Sequence, residues 1–365
     1  MRRIILIVVL VAIVGAIAFL NGQKPEQPMA KDDAVSVVTE TKSEKANRYK
    51  PAKELVDPAS FINTDSFQIK DLIGKQVILV DFWTYSCINC QRTLPYVNAW
   101  YDSYHDKGLT IIGVHTPEFE FEKEYDNVLA AVKKYDIHYP VVLDNNYGTW
   151  RAYGNQYWPR KYLIDIDGYI VYDHIGEGGY DETEKETQKL LAERASRLGE
   201  QTPTVGMAEP VNAPQVDFSK VGSPETYFGA ARNTYLGNGN AGVAGTQTFT
   251  PPVTTEVNKL YLGGSWDLNK EYAKSISQSA TVRYRYHAKD VYFVAAAIAP
   301  VEIEVYQDGV LVGDANAGGD VTKGIIAVKE NQLYHLVHNA NGYGEHTLEL
   351  RVKNSGLEAF TFTFG

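Results

Sequence analysis

The sequence predicts an α/β domain with a mixed central sheet and helices on both faces, followed by an all-β antiparallel sandwich. Three observations carry that reading. Across 56–200, apolar strand patterns alternate with helical ones. At 201–215, and from Gly199 on, prolines and polar residues break every periodicity (GEQTPTVGMAEPVNAPQ). From 216 to 365 the chain reads as short alternating strands separated by Gly, Asn and Asp turns, the pattern of a sandwich.

The elements follow in order. Met1-Arg2-Arg3 precedes an uncharged aliphatic run, Ile4 to Leu20. Residues 1–22 therefore read as a membrane anchor, or as a signal peptide with Ala16-Ile17-Ala18 resembling its cleavage site. The anchor is the preferred reading, and either form takes the protein out of the cytoplasm. Residues 23–55, rich in Lys, Glu, Ser and Ala, read as a flexible, solvated linker. Val77–Trp83 is then a buried strand, Asn89–His105 a helix that Pro95 should kink, and Leu109–His115 a second strand. Phe121–Tyr135 reads as a helix and Pro140–Leu143 as a short strand. Lys161–Ile166 and Tyr169–Ile175 form a hairpin across Asp167-Gly168, and Asp181–Leu198 closes the domain as a charged amphipathic helix. In the second half, strands are expected at 281–286, 291–295, 301–307, 324–328, 334–337, 346–352 and 359–364.

The chemistry is concentrated in Cys87-Ile88-Asn89-Cys90, which holds the only two cysteines of the 365 residues. Two thiols at this spacing can close a disulfide within one helical turn. The first sulfur falls where a strand gives way to a helix, and unpaired N–H groups there favour negative charge. A zinc site normally draws four ligands, and no second Cys pair exists, while His105 and His115 are scattered. A structural staple across so short a loop would add little stability. Redox chemistry is the reading that uses the position of the pair. No cofactor or metal is expected.

Composition narrows the field further. A hydrophobic content of 44% excludes global disorder, and a net charge of −10 argues against nucleic-acid partners. Two cysteines in a chain of this length do not make a disulfide scaffold.

VDFWTYSCINC with its following helix, and the later Trp158-Pro159 leading into a strand, resemble the thioredoxin fold. More narrowly, FWTYSCINCQRTLPYVNAWY, GVHTPEFEFEK and AYGNQYWPRKYLID resemble the extracytoplasmic thioredoxin-like portion of DipZ-type proteins. SPETYFGAARNTYLG, GSWDLNKEYA and FTFTFG resemble the module that follows it, which is jelly-roll-like and similar to carbohydrate-binding modules. The resemblance implies a thiol–disulfide oxidoreductase acting on protein disulfides, with Cys87 attacking and Cys90 resolving. It implies that Asp81 is the buried carboxylate serving Cys90, and that Pro159 is cis, turning the Trp158 backbone toward the thiols. Trp83, Tyr85 and Trp158 read as an apolar rim that meets substrate, with core packing an equal alternative for each. DipZ-type chains carry a multi-helix membrane domain ahead of this region. Here a single apolar segment stands in its place, so electrons are expected from a separate multi-helix membrane thiol carrier.

Other readings stay open. A thiol peroxidase would want a proline where Val80 stands, with only Thr84 of its motif present. A disulfide donor or isomerase would use the same cysteines with electrons flowing the other way. A surface protein that binds carbohydrate through the sandwich would use Trp266, Tyr227, Tyr235 and Tyr261, which fit sugar stacking and core packing equally. The cluster Glu118, Glu120, Glu122 and Glu124 reads as solvated charge near a helix start.

Overall fold

The computed structural model describes residues 40–365, so the apolar run at 4–20 lies outside the described residues. The described chain opens on α1 (Lys42–Arg48), held by a reciprocal capping box between Thr41 and Glu44. Seven strands make the first sheet: β1 (Lys50–Pro51), β2 (Ser60–Ile62), β3 (Val77–Trp83), β4 (Leu109–His115), β5 (Val141–Leu143), β6 (Arg160–Ile164) and β7 (Tyr169–Ile175). Their order is β1-β7-β6-β3-β4-β5-β2, with β3, β4 and β5 parallel and the remaining pairs antiparallel.

The two parallel steps are crossed by α2 (Ile88–Tyr104) and α3 (Tyr125–Lys134). Both crossovers run the same way along the sheet, so right-handedness places both helices on one face. There Val77, Leu79 and Trp83 of β3 meet Leu94, Val97 and Trp100 of α2 and Val128 and Val132 of α3. Leu190 and Leu191 of α5 (Tyr180–Leu198) join them. The alternate β3 residues Ile78, Val80 and Phe82 face the other way, with Ile69, Tyr153 and Trp150 of α4 (Gly148–Ala152). Helices therefore cover both faces, as the sequence predicts. Pro95 lies inside α2 without ending it.

The linker expected to reach residue 55 stops short, because residues 41–51 belong to this domain. Lys45 explains why: its side chain is only 4% exposed, and its ammonium meets Asp165 (2.6 Å), Asp167 (3.1 Å) and Glu193. Such a cage cannot form in a solvated coil. The stretch 201–215 carries no regular structure, yet Tyr104 Oη–H donates to Gly206 O (3.2 Å) and Glu184 accepts from Ala208 N–H.

The second half has twelve strands: β8 (Thr226–Tyr227), β9 (Gly245–Phe249), β10 (Leu260–Leu268), β11 (Ala273–Ser275), β12 (Thr281–Ala288), β13 (Asp290–Ala296), β14 (Val301–Gln307), β15 (Val310–Leu311), β16 (Ile325–Val328), β17 (Gln332–His338), β18 (Gly344–Val352) and β19 (Glu358–Phe364). All of their pairings are antiparallel. Strand β10 turns the corner between two layers: Leu260–Gly263 pairs with β12, and Gly264–Leu268 with β9. Gly264 makes the bend at φ +80°, where an added Cβ would lie 2.4 Å from Ser277 Oγ.

This core decides in favour of packing for two of the four aromatic residues. Trp266 and Tyr261 are buried, and Trp266 Nε1–H donates to Gly263 O inside the molecule. Tyr227 lies between the two halves, where its hydroxyl donates to Glu118. Tyr235, like Tyr227, is half-buried. The two halves share an apolar cluster of Ile88 and Phe119 with Val294, Ala296, Leu333 and Phe360, and Thr41–Gly365 forms one compact unit.

Candidate redox site

Strand β3 ends at Trp83, and Thr84–Ser86 turn the chain into α2, with Cys87 N–H donating to Thr84 O. Cys87 is the N-cap of that helix, in extended conformation (φ −81°, ψ 117°). Its Sγ accepts the Cys90 backbone N–H at 3.3 Å, one of the donors that a helix start leaves unpaired. Both cysteines are free thiols; Cys87 is half-buried and Cys90 is 1% exposed. Burial, reinforced by Cys87 and Asp81, pushes the Cys90 thiol well above its ordinary range.

Asp81 lies two residues from the end of β3, on the same face as Leu79 and Trp83 and therefore beneath α2. It is 1% exposed, and burial pushes its carboxyl up to about 6 despite the nearby Lys161 ammonium. Lys161 is its register partner on β6, with Nζ 3.9 Å from Asp81 Oδ1. Burial in turn lowers the Lys161 pKa, and neither group has a hydrogen-bond partner among the described residues. The pair is thus an electrostatic contact in a poorly solvating pocket rather than a closed salt bridge.

The Trp158–Pro159 bond is cis. Pro159 is buried and leads into β6, while half-buried Trp158 donates its Nε1–H to Thr116 O (3.0 Å) and lies against Trp150. Two expected rim residues are not on a rim. Trp83 is fully buried because period-two alternation places it in the core with Leu79, edge-on to His115. Tyr85 is 4% exposed, stacks on His115, and donates its hydroxyl to Asn331 O in the second half (3.1 Å).

Other side chains in this neighbourhood escaped the sequence reading. Glu122, expected as solvated, is fully buried. It accepts Ser86 Oγ–H (2.6 Å) and the N–H groups of Ser86 and Phe119, tying the turn before Cys87 to the loop after β4. Burial pushes it up to about 7. Arg92, one turn beyond Ile88 on α2, is 2% exposed and donates to Glu177 (3.0 Å) and to Asn89 Oδ1 (2.7 Å). Glu118, also expected in water, pairs with Arg232 at 2.7 Å. No local signal marked Glu122 or Arg92, since each sits among other charged or polar residues.

Two family models match the chain: Redoxin over residues 51–191, and a thioredoxin-like C-terminal domain over residues 223–365. Protein DipZ of Mycobacterium bovis is 37% identical over 319 residues, covering 86% of this chain and 43% of DipZ. The thiol–disulfide oxidoreductase ResA of Bacillus cereus is 35% identical over 135 residues, covering 36% of this chain and 75% of ResA. This chain belongs to the thiol–disulfide oxidoreductases. The thiol–disulfide oxidoreductase YkuV of Bacillus subtilis is 29% identical over 143 residues, 39% of this chain and 95% of its own length. The oxidoreductase described here spans 43% of the length of the DipZ relatives it matches.

Among the described residues of the oxidoreductase, two groups have the donors to ligate a metal. Asp165, Asp167 and Glu193 converge, but the Lys45 ammonium occupies their centre. In the β half, His335 Nε2 and His338 Nδ1 lie 2.9 and 2.7 Å from the same Asp290 oxygen. Gly319 N–H donates to His335 Nδ1, which leaves the proton of neutral His335 on Nε2, facing Asp290. That tautomer suits a hydrogen-bonded trio and opposes a metal at Nε2.

Asp81 gives the oxidoreductase a specific pH signature. A carboxyl near 6 in the folded chain and near its ordinary value when unfolded binds an extra proton in the fold between about pH 4 and pH 6. Stability therefore falls as pH rises through that window and stays lower above it. A difference of this size is worth about 3 kcal/mol. Asp81→Asn is expected to lose about 3 kcal/mol less stability than the parent between about pH 4 and pH 8 in urea unfolding. Parallel stability–pH curves would contradict the buried, ionising carboxyl.

Proposed function

We propose that this oxidoreductase reduces protein disulfides outside the cytoplasm through Cys87 and Cys90. The observation that carries the reading is the half-buried Cys87 sulfur at the α2 N-cap, with buried Cys90 one turn behind it and Asp81 beneath. The Cys87 thiolate attacks one sulfur of a partner disulfide; a Cys87–partner S–S bond forms and the other partner sulfur leaves as a thiolate. Cys90 then loses its proton to Asp81, which is mostly ionised at neutral pH with a carboxyl near 6. The Cys90 sulfur attacks Cys87 Sγ and the mixed disulfide breaks. The partner leaves with both of its sulfurs reduced, and two electrons have passed from the dithiol. The cis Trp158–Pro159 edge is assigned to pairing with an extended substrate backbone.

The direction of flow is inferred from the resemblance to DipZ-type proteins, 37% identical over 86% of this chain. A reductant must be recharged, and the basic-flanked apolar run at 4–20 supports anchoring beside a separate multi-helix membrane thiol carrier. Cytochrome c maturation and disulfide repair are the two uses proposed for such a reductant.

The test of direction mixes the full chain as dithiol with an unfolded polypeptide that carries one disulfide, then quenches with an alkylating agent. The expected result is one reduced substrate disulfide per oxidised Cys87–Cys90 pair. A substrate dithiol oxidised by the disulfide form, with no reaction in the forward sense, would reverse the assignment. Asp81→Asn is expected to slow loss of the mixed disulfide about 10- to 100-fold while leaving its formation unchanged, because only the second step needs the base. Equal effects on both steps would make Asp81 structural.

A further inference from the structure

The residues that flank Cys87 are not arranged like those of an open redox surface. Two residues before it, Tyr85 is sealed by its hydrogen bond to Asn331 O. Immediately after it, Ile88 is 6% exposed, in one cluster with Val294, Ala296, Leu333 and Phe360 of the β half. One turn further along the same face of α2, Arg92 is buried, with its cationic carbon 5.6 Å from the Phe218 ring. Asn331, Val294, Ala296, Leu333, Phe360 and Phe218 all lie beyond residue 215, and His115, Phe119 and Glu177 complete the cover from the first half. Asn89 and Trp158 remain half-exposed.

The cover is firmly attached. Phe360 stands edge-on to Phe119 and Phe121, with ring centres 5.0 and 4.9 Å apart. Arg232 pairs with Glu118 (2.7 Å), Lys134 Nζ donates to Gln332 (3.0 Å), and Glu120 N–H donates to Glu271 (2.9 Å). An apolar centre ringed by ion pairs and hydrogen bonds is the anatomy of a lasting interface.

We propose that the β half is a fixed wall of the redox site, confining approach to Cys87 to the Asn89–Trp158 side. The site then selects disulfides carried on extended or unfolded segments over those set in folded surfaces. The inference rests on the reductase reading above and adds a substrate class to it. Exchange requires contact between Cys87 Sγ and a substrate sulfur. An extended strand can bring its sulfur there beside Pro159, whereas a convex folded surface meets the wall before the sulfurs touch.

The test uses the full chain and one substrate protein, with its disulfide presented in the native state and in an unfolded variant. A single-domain thioredoxin is run beside it. The expected preference for the unfolded form exceeds that of the single-domain thioredoxin about tenfold or more in kcat/KM. Leu333→Asp, which places a charge in the shared cluster, should erase that excess by raising the rate on the native substrate, while the unfolded substrate reacts as before. If Leu333→Asp fails to fold, the milder Phe360→Ala is read in the same way. A preference equal to that of the single-domain thioredoxin, or unchanged in a folded Leu333 or Phe360 variant, overturns the wall. Failure to reduce either substrate would instead overturn the reductase reading beneath it.

Discussion

Cys87→Ser is expected to lower disulfide exchange roughly a thousandfold or more, to the rate seen without protein. Of the two thiols, Cys87 is the more accessible, and Cys90 lies behind it at 1% exposure with its thiol pushed well up by burial. No other side chain at the α2 start offers a comparable nucleophile. Cys90→Ser has the opposite phenotype. The first attack proceeds, the resolving sulfur is gone, and the partner stays attached through a Cys87 disulfide that dithiothreitol releases. Mass spectrometry of the two variants after incubation with a disulfide-bonded peptide reads both outcomes. Exchange undiminished in Cys87→Ser, or an adduct on Cys87→Ser in place of Cys90→Ser, would reverse the two roles.

Lys45→Met is expected to destabilise the fold by about 3–5 kcal/mol, the cost of stranding buried charge when one partner is removed. The Lys45 ammonium is held above its usual range because Asp165, Glu193 and Asp167 outweigh the opposing effect of burial. Arg197 retains Asp167 at 2.9 Å, but Asp165 Oδ2 loses its closest cation, since Lys45 Nζ lies 2.6 Å away. Charge is conserved in Lys45→Arg, yet a planar fork cannot reproduce three bonds from one ammonium, so partial recovery is expected. Urea unfolding of both variants at neutral pH makes the comparison. A loss below about 1 kcal/mol in Lys45→Met would mean that residues 41–51 are peripheral to the fold.

The elements that sequence reading found best were those whose signal is local. The β3–α2 junction around Cys87, the hairpin through Gly168 and the cis Trp158–Pro159 bond each lie within a short window and are all present. Asp81 was visible as a charge inside an apolar strand, but its partner Lys161 was not, because only sheet register brings β6 beside β3. Trp83 and Tyr85 were misplaced for different reasons. Alternation along β3 sends Trp83 inward, and Tyr85 is covered by a loop of the second half that no local pattern announces. The same blindness hid Lys45 and Glu122, whose burial depends on distant carboxylates and on the turn at Ser86. In the β half, Gly263-Gly264 interrupts the alternation that would mark β10, and the strand that turns the corner of the sandwich was missed.

The central claim is that Cys87 and Cys90 form a reducing couple. The reduction potential of that couple in the full chain, measured by equilibration against glutathione, tests it most directly. The reductase reading predicts a value near that of thioredoxin, about −270 mV. A value near about −120 mV, the level of a strong disulfide donor, would contradict the account and reverse the flow of electrons.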